Sequence, residues 1–394
     1  VQSVWYIDTH QALHLCAEKL AHASVVGVDT ESDSFHRYHA KVCLIQLTAL
    51  GMDILIDPLA VPDLSCLENL FASQAHTKIF HDAGYDLLCL HRDFGFAVSN
   101  VFDTMLASRL LGKKQFGLAP VLEERYGFVA NKALQRSDWG VRPLTSEQLD
   151  YARFDTHFLP QLAEDLTSEL RTMGRWVWAQ EDFARIPLVC ERMPLKEPSF
   201  DPLGFWKIPG VRNMSPVQRG RVRALCAVRD SFASSWNRPP FKVFSDDVLL
   251  YIARRAPKSL EELKAVSGFR RVGLEKMGEA VLVALKDAQP VKESPPAGVS
   301  RKKRTGRLNE PEARARYEHL RGWRKQEAQT LAIDPEIVLS NAALEELAKH
   351  PPQQLQELAS YDGVTPWRFA LFGPSLHSAV QEPLVWDQED ANNV

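Results

Sequence analysis

Strand-forming runs are confined to the front of this chain, and that confinement bounds what it can fold into before any single residue is weighed. Val25 to Thr30, Val42 to Ala49 and Asp53 to Ile56 are short and rich in strand formers, and Leu50-Gly51 supplies a turn between the last two. Adjacent hairpin strands are written this way. Helical periodicity surrounds them, at Gln11 to Ala23, Leu64 to Ala72, Tyr85 to Phe94, Met105 to Leu111 and Leu118 to Tyr126. A sheet covered by helices follows, which is the α/β class. From Ser215 onward the periodicity is helical alone.

At 394 residues the chain exceeds one ordinary core, so about two to four domains are expected. Thr145-Ser-Glu-Gln148 has the spacing of a capping box, and Pro160 should kink or end the helix it opens. Pro187, Pro194, Pro198, Pro202 and Pro209 mark an extended connector, and Ser215-Pro216 reads as the cap and first turn of the next helix. Further helices are expected at Asp246 to Ala256, Ser259 to Ala265 and Leu274 to Asp287. Pro290, Pro295 and Pro296 with Arg301-Lys302-Lys303-Arg304 and Arg307 then read as a flexible basic tether. The predicted division is an α/β domain over 1–185, a proline-rich connector over 186–214 and a helical domain over 215–288. A basic linker over 289–309, a second helical domain over 310–380 and an acidic tail over 381–394 complete it. The two helical parts share a plan, a long first helix, an extended link, a helix ending in Ala-x-x-x-Pro or Lys-His-Pro and then a Leu-rich helix, which suggests an internal duplication.

Hydrophobic residues at 45% and charged residues at 25% suffice for packed interiors without covalent staples. The six cysteines (Cys16, Cys43, Cys66, Cys89, Cys190, Cys226) have no zinc-site spacing, so reduced thiols in the cytoplasm are expected. No apolar run approaches the roughly 18 residues of a membrane span, and Val1 to Lys19 lacks a basic region followed by an apolar stretch. A soluble, unsecreted protein with no membrane partner is the expectation. The net charge of −3 decides nothing about nucleic acid, because binding depends on where the positive charge sits.

Chemistry is written in three places. In Val25-Val-Gly-Val-Asp-Thr-Glu31 a strand would send Val26 and Val28 to the core and Asp29 and Glu31 to the other face. Lys78-Ile-Phe-His-Asp-Ala-Gly-Tyr-Asp86 is a β-rich run entering a helix whose first turn holds Asp86, where helix electrostatics alone would also favour an acid. In Tyr151-Ala-Arg-Phe-Asp155 the spacing of four puts phenol and carboxylate on one helix face. Brought together, the four acids would repel and resist ionisation. Two divalent cations would compensate, and all-oxygen ligands suit Mg²⁺ or Mn²⁺.

These three elements resemble the exonuclease motifs of the DEDD superfamily, in the subgroup with Tyr in the third motif that contains RNase D and the nuclear exosome exonuclease. Leu44-Ile-Gln-Leu47, Phe102-Asp-Thr104 and Ser137-Asp-Trp-Gly-Val-Arg-Pro-Leu144 fit the same family, and the helical parts resemble HRDC domains. After Glu31 the Ser32-Asp33-Ser34 stretch is closer to the exosome type than to the bacterial one. The resemblance implies an RNase H-like exonuclease domain, a mixed sheet flanked by helices, followed by two small all-helical HRDC-like domains.

It further implies a 3′-to-5′ exoribonuclease that releases nucleoside 5′-monophosphates from RNA with a free 3′ end, in tRNA or other stable RNA processing. Asp29, Glu31 and Asp155 would hold one cation and Asp29 with Asp86 the other, with Tyr151 orienting the attacking water. Lys132 and Arg142 are expected at substrate phosphates, Trp139 near the mouth of the site, and Arg219, Arg221, Arg223 and the basic cluster at RNA backbone. A DNA-directed exonuclease and an inactive RNA-binding scaffold are the alternatives. A monomer is the expected state.

Overall fold

The computed structural model describes residues 4–193, 199–269, 271–295 and 310–382. It falls into two compact units, one of residues 1–31, 42–194 and 308–394 and the other of residues 32–41 and 195–307. The first unit opens with β1 (Trp5–Ile7), α1 (His10–Leu20), β2 (Val25–Ser32), β3 (Val42–Ala49), β4 (Met52–Ile56), α2 (Glu68–Ala72), β5 (Thr77–Phe80), α3 (Gly84–Phe94) and β6 (Val101–Asp103). Five helices follow: α4 (Thr104–Leu110), α5 (Leu118–Tyr126), α6 (Ser146–His157), α7 (Leu159–Thr172) and α8 (Trp176–Glu191). The six strands form one sheet in the order β1-β4-β3-β2-β5-β6. It is mixed: β3 and β4 run antiparallel, whereas β1 with β4, β2 with β5 and β5 with β6 run parallel.

Local chemistry explains these elements. Ala49 pairs with Met52, so Leu50 and Gly51 alone close the hairpin, both with positive φ (52° and 71°). That is the primed turn whose twist matches the strands it joins. On β2, Val26 and Val28 are fully buried in the core with Phe71 and Phe80, which leaves Gly27, Asp29 and Glu31 on the opposite face. Gly27 sits where the α6–α7 junction meets that face, and a Cβ there would stand 3.1 Å from the Thr156 carbonyl oxygen and 3.3 Å from Leu159 Cβ. Thr145 and Gln148 form the expected capping box, and Pro160 occupies the first turn of α7. α6 therefore stops at His157, where proline allows a helix to start but not to continue.

Two readings change. β1 and β6 are only three residues long, too short for periodicity to reveal. α8 runs through Pro187 to Glu191, burying Ala179, Phe183 and Cys190, so the connector begins later than residue 186. Packing of that face offsets the backbone bond that Pro187 cannot make.

The second unit holds α9 (Pro216–Ser235), α10 (Pro240–Val243), α11 (Asp246–Arg255), α12 (Leu260–Lys264) and α13 (Arg271–Asp287). Its core gathers Trp206, Leu225, Leu249 and Phe269. The loop 32–41 belongs to it, with the Tyr38 hydroxyl 2.9 Å from both Asp230 carboxylate oxygens. Val291 is 3% exposed and its N–H donates to the Pro216 carbonyl, so the start of the expected tether packs against α9. Pro194, Pro198, Pro296, the basic residues Arg301 to Arg307 and most of the acidic tail lie outside the described residues.

α14 (Pro311–Leu331), α15 (Pro335–Val338), α16 (Asn341–Lys349) and α17 (Pro366–Gln381) repeat the plan of a long helix, a short proline-started one and a Ser-capped one. They share one hydrophobic core with α4, α7 and α8 of the first unit. Arg368 forks onto Asp182 of α8 at 2.5 and 2.8 Å, and Trp367 stacks on Trp178 with centroids 4.5 Å apart.

Candidate active site

β2 ends with two carboxylates on its α6 side, and α6 brings a third: one ligand oxygen from each of Asp29, Glu31 and Asp155 lies within 4.8 Å of the others. Asp86, in the first turn of α3, joins them through β2. Its Oδ1 accepts from the Thr30 backbone N–H at 3.1 Å and from the Thr30 hydroxyl at 2.5 Å. The turn that presents Asp86 is itself bracketed. Asp103 caps α4 through the Leu106 N–H and also accepts from Ala83 N–H at 2.8 Å, while Thr104 donates to the Phe80 carbonyl at 2.9 Å. The Phe102-Asp-Thr104 stretch thus holds the β5–α3 turn rather than entering the site.

Crowding shows in the proton affinities. Burial first, then the charge of Asp155, lifts Asp29 well above the usual carboxylate value. Glu31 is raised by burial and then by Asp29, Asp155 and Asp86. Burial and Asp29 raise Asp86 against the opposing bonds from Thr30. Asp155 is pushed up to about 7, by burial and by Asp86, although its hydrogen bond from Tyr151 works the other way. Burial and the same acids push the Tyr151 phenol above its ordinary 10, so it keeps its proton and donates. Among the described residues, no arginine or lysine stands among the charges that chiefly act on the four acids. A hard oxygen-donor set without countercharge is what a divalent cation fits.

Asp29, Glu31, Tyr151 and Asp155 floor a cleft of about 790 Å³, with Phe154, Met105, His81 and the 128–131 loop among its walls. His81 bonds Thr104 Oγ1 through Nδ1 at 2.8 Å, and burial lowers its pKa to about 4, so it stands in the cleft uncharged.

The expected substrate contacts fare differently. Lys132 starts a short 3₁₀ turn, Lys132–Leu134, on the loop whose Asn131 and Leu134 line the cleft. Trp139 is 1% exposed and packs 5.9 Å from the Tyr151 ring; it lies beneath the tyrosine and cannot stand at the mouth. Arg142 is committed internally, with Nε and Nη2 on Asp57 at 2.6 and 2.7 Å, Nη2 on the Cys43 carbonyl and Nη1 on the Trp139 and Val141 carbonyls. Its fork has no donor left for phosphate. In the second unit Arg219 donates to the Arg212 carbonyl over the Trp206 ring and Arg221 to the Ala253 carbonyl, whereas Arg223 is exposed. Thr30, His81 and Phe154 escaped sequence reasoning. Thr30 alone had a signal, its place between the two acids of the first motif.

Comparison with known proteins gives the family and the fold. A 3′-5′ exonuclease family model matches residues 4–171, and the HRDC domain model matches twice, at residues 218–285 and 313–380, in keeping with an internal duplication. Protein RRP6-like 3 of Arabidopsis thaliana is 33% identical over 280 residues, 66% of this chain but 31% of that longer protein. Ribonuclease D of Zymomonas mobilis subsp. mobilis is 30% identical over 292 residues, 72% of each chain. The fold is that of the crystal structure of Escherichia coli RNase D, with a TM-score of 0.67, 23% identity and coverage of 96% of this chain and 99% of that one.

Proposed function

Since this chain belongs to the ribonuclease D family of 3′-to-5′ exonucleases, we propose that it shortens RNA from a free 3′ end, hydrolysing the terminal phosphodiester to release nucleoside 5′-monophosphates. Precursors of tRNA and other stable RNAs are the substrates in this reading, and the enzyme works as a cytoplasmic monomer. The observation that carries it is the meeting of Asp29, Glu31 and Asp155 within 4.8 Å, with Asp86 tied to Thr30 between the first two.

Asp29, Glu31 and Asp155 would hold one divalent cation, Mg²⁺ or Mn²⁺, and Asp29 with Asp86 would hold the second. Bound cations of this kind make water nucleophilic at neutral pH and offset charge on the leaving oxygen. Thr30 takes up Asp86 Oδ1, so Oδ2 is the oxygen that Asp86 offers. Tyr151 cannot serve as a base, because its environment holds the phenol above 10; its hydroxyl donates to Asp155 and orients the attacking water. Apolar cleft walls such as Met105 and Phe154 suit the faces of the terminal bases, since stacking tolerates any base.

A 5′-labelled RNA and a DNA of the same sequence, each incubated with and without Mn²⁺, test the proposal. RNA should shorten stepwise from its 3′ end in a cation-dependent manner and DNA should shorten far more slowly. Equal rates on both would assign the enzyme to DNA as well, and binding without shortening would make it a scaffold.

A further inference from the structure

β4 continues into a residue pattern that the site above does not use, Asp53-Ile-Leu-Ile-Asp57. Alternation sends Ile54 and Ile56 into the core on one face and puts Asp53, Leu55 and Asp57 on the other, where Leu55 packs with Trp139, Ala152 and Tyr151. Both acids are almost fully buried, at 3% and 2% exposure, yet neither belongs to the four-carboxylate cluster.

Asp53 grips the helix that carries the third motif, and Asp57 the loop before it. Asp53 accepts from His157 Nδ1 at 2.8 Å and from Thr48 Oγ1 at 3.0 Å, and Arg153 approaches it at 3.9 Å. His157 and Arg153 flank Asp155 on α6, and Thr48 adds a 2.8 Å bond to Thr156 Oγ1. Asp57 accepts the Arg142 fork, while Tyr6 of β1 donates to it at 2.5 Å. Through Nη1, Arg142 also holds the Trp139 carbonyl, and Trp139 lies under Tyr151.

α6 needs such grips. Of the residues it buries fully only Ala152 is apolar; the others are Gln148, Arg153 and Thr156. Apolar burial is non-directional, and here it is slight, whereas forked and charge-assisted bonds fix geometry.

We propose that Asp53 and Asp57 are positioning residues, which from two points along β4 fix α6 and the loop before it and so set where Asp155 and Tyr151 stand against Asp29. The proposal rests on the function given above and extends it to residues that touch neither RNA nor cation.

The test uses the full chain with Asp53→Asn and Asp57→Asn, each alone and combined with Tyr151→Phe, and with Asp182→Asn as a control that loosens an equally buried ion pair on α8. Mn²⁺ alone is titrated and its free concentration read by electron paramagnetic resonance, beside melting temperature, kcat and KM on 5′-labelled RNA. Outer groups that orient ligands cost about 10–100-fold when removed. Asp53→Asn should therefore weaken Mn²⁺ binding by about tenfold, and Asp57→Asn should lower kcat by about tenfold with KM within about twofold. In the Tyr151→Phe background Asp57→Asn should cost less than about twofold further, because the group it positions is already gone. Asp182→Asn should lower the melting temperature while leaving Mn²⁺ binding and kcat unchanged.

Mn²⁺ binding and kcat at wild-type values in both variants would overturn the inference, and so would losses no greater than those of the control. If Asp57→Asn does not fold, Arg142→Lys, which keeps the charge and loses the fork, gives the same reading. A wild-type chain that binds no Mn²⁺ and leaves RNA intact would instead overturn the function itself, and the inference with it.

Discussion

The acid cluster makes stability depend on pH in a direction that a divalent cation should reverse. A carboxyl held at about 7 instead of 3.8 carries roughly 4 kcal/mol of preference for its proton. Asp155 is such a group, and Asp29, Glu31 and Asp86 are raised alongside it. A raised folded-state pKa means that the fold binds more protons than the unfolded chain between the two values. That contribution is complete below about 3.8 and is lost as pH climbs through about 7. Asp57, held below its usual value because Arg142 and Tyr6 outweigh its burial, acts with the opposite sign but only at more acidic pH, so it leaves the window clear.

In EDTA the melting temperature of the first unit should therefore fall between about pH 5 and pH 8. A cation at a hundred times its dissociation constant adds about 2.7 kcal/mol, which for a unit of this size is a rise of about 5–10 °C. That rise should appear with MnCl₂ at about pH 8 and shrink to about a quarter at pH 5.5, where protons compete for the same oxygens. Differential scanning fluorimetry in paired Mn²⁺ and EDTA samples measures it. A Mn²⁺ effect as large at pH 5.5 as at pH 8 would refute the idea that these four carboxylates are the ligands.

Asp155→Asn should abolish turnover on labelled RNA by at least about a hundredfold and leave RNA binding by filter assay largely intact, while the melting temperature in EDTA at pH 8 rises because one repelling charge is gone. Gly27→Ala should lower activity more than stability: the added methyl meets the Thr156 carbonyl at 3.1 Å and pushes α6, hence Asp155, away from Asp29, which a raised Mn²⁺ half-saturation would register. Asp182→Ala should destabilise the first unit by about 3–5 kcal/mol in urea titration, since it leaves the charge of Arg368, itself 8% exposed, without its counterion.

What could be read in advance, and what could not, follows from the range of each interaction. Asp29 and Glu31 share a face because strands alternate, Tyr151 and Asp155 because helices turn every 3.6 residues, and the Thr145 and Ser215 capping boxes because four consecutive residues suffice to make one. All of these are local rules. β1 and β6 have three residues each and borrow their strand character from β4 and β5, so no local pattern announces them. α8 keeps its helix through Pro187 because Phe183 and Cys190 are buried, a tertiary fact that local composition contradicts.

The same division explains the misjudged substrate contacts. Arg142 and Trp139 sit in a stretch with polar and aromatic groups next to the helix that carries Tyr151 and Asp155, which suggests contact with RNA. The partner that claims Arg142 is 85 residues away, and the cluster that buries Trp139 includes Cys43, Leu44 and Leu55. An arginine whose every donor is used inside the fold cannot bind phosphate, but it can decide where a neighbouring tyrosine stands. Cations gathered by four acids demand exact placement of those acids, while mutual repulsion works to spread them. Some other set of residues must then hold the strand and helices together against that repulsion. In this chain Thr30, Asp103, Asp53 and Asp57 do so, and for Asp53 and Asp57 local spacing leaves nothing to tell them from ordinary surface polarity.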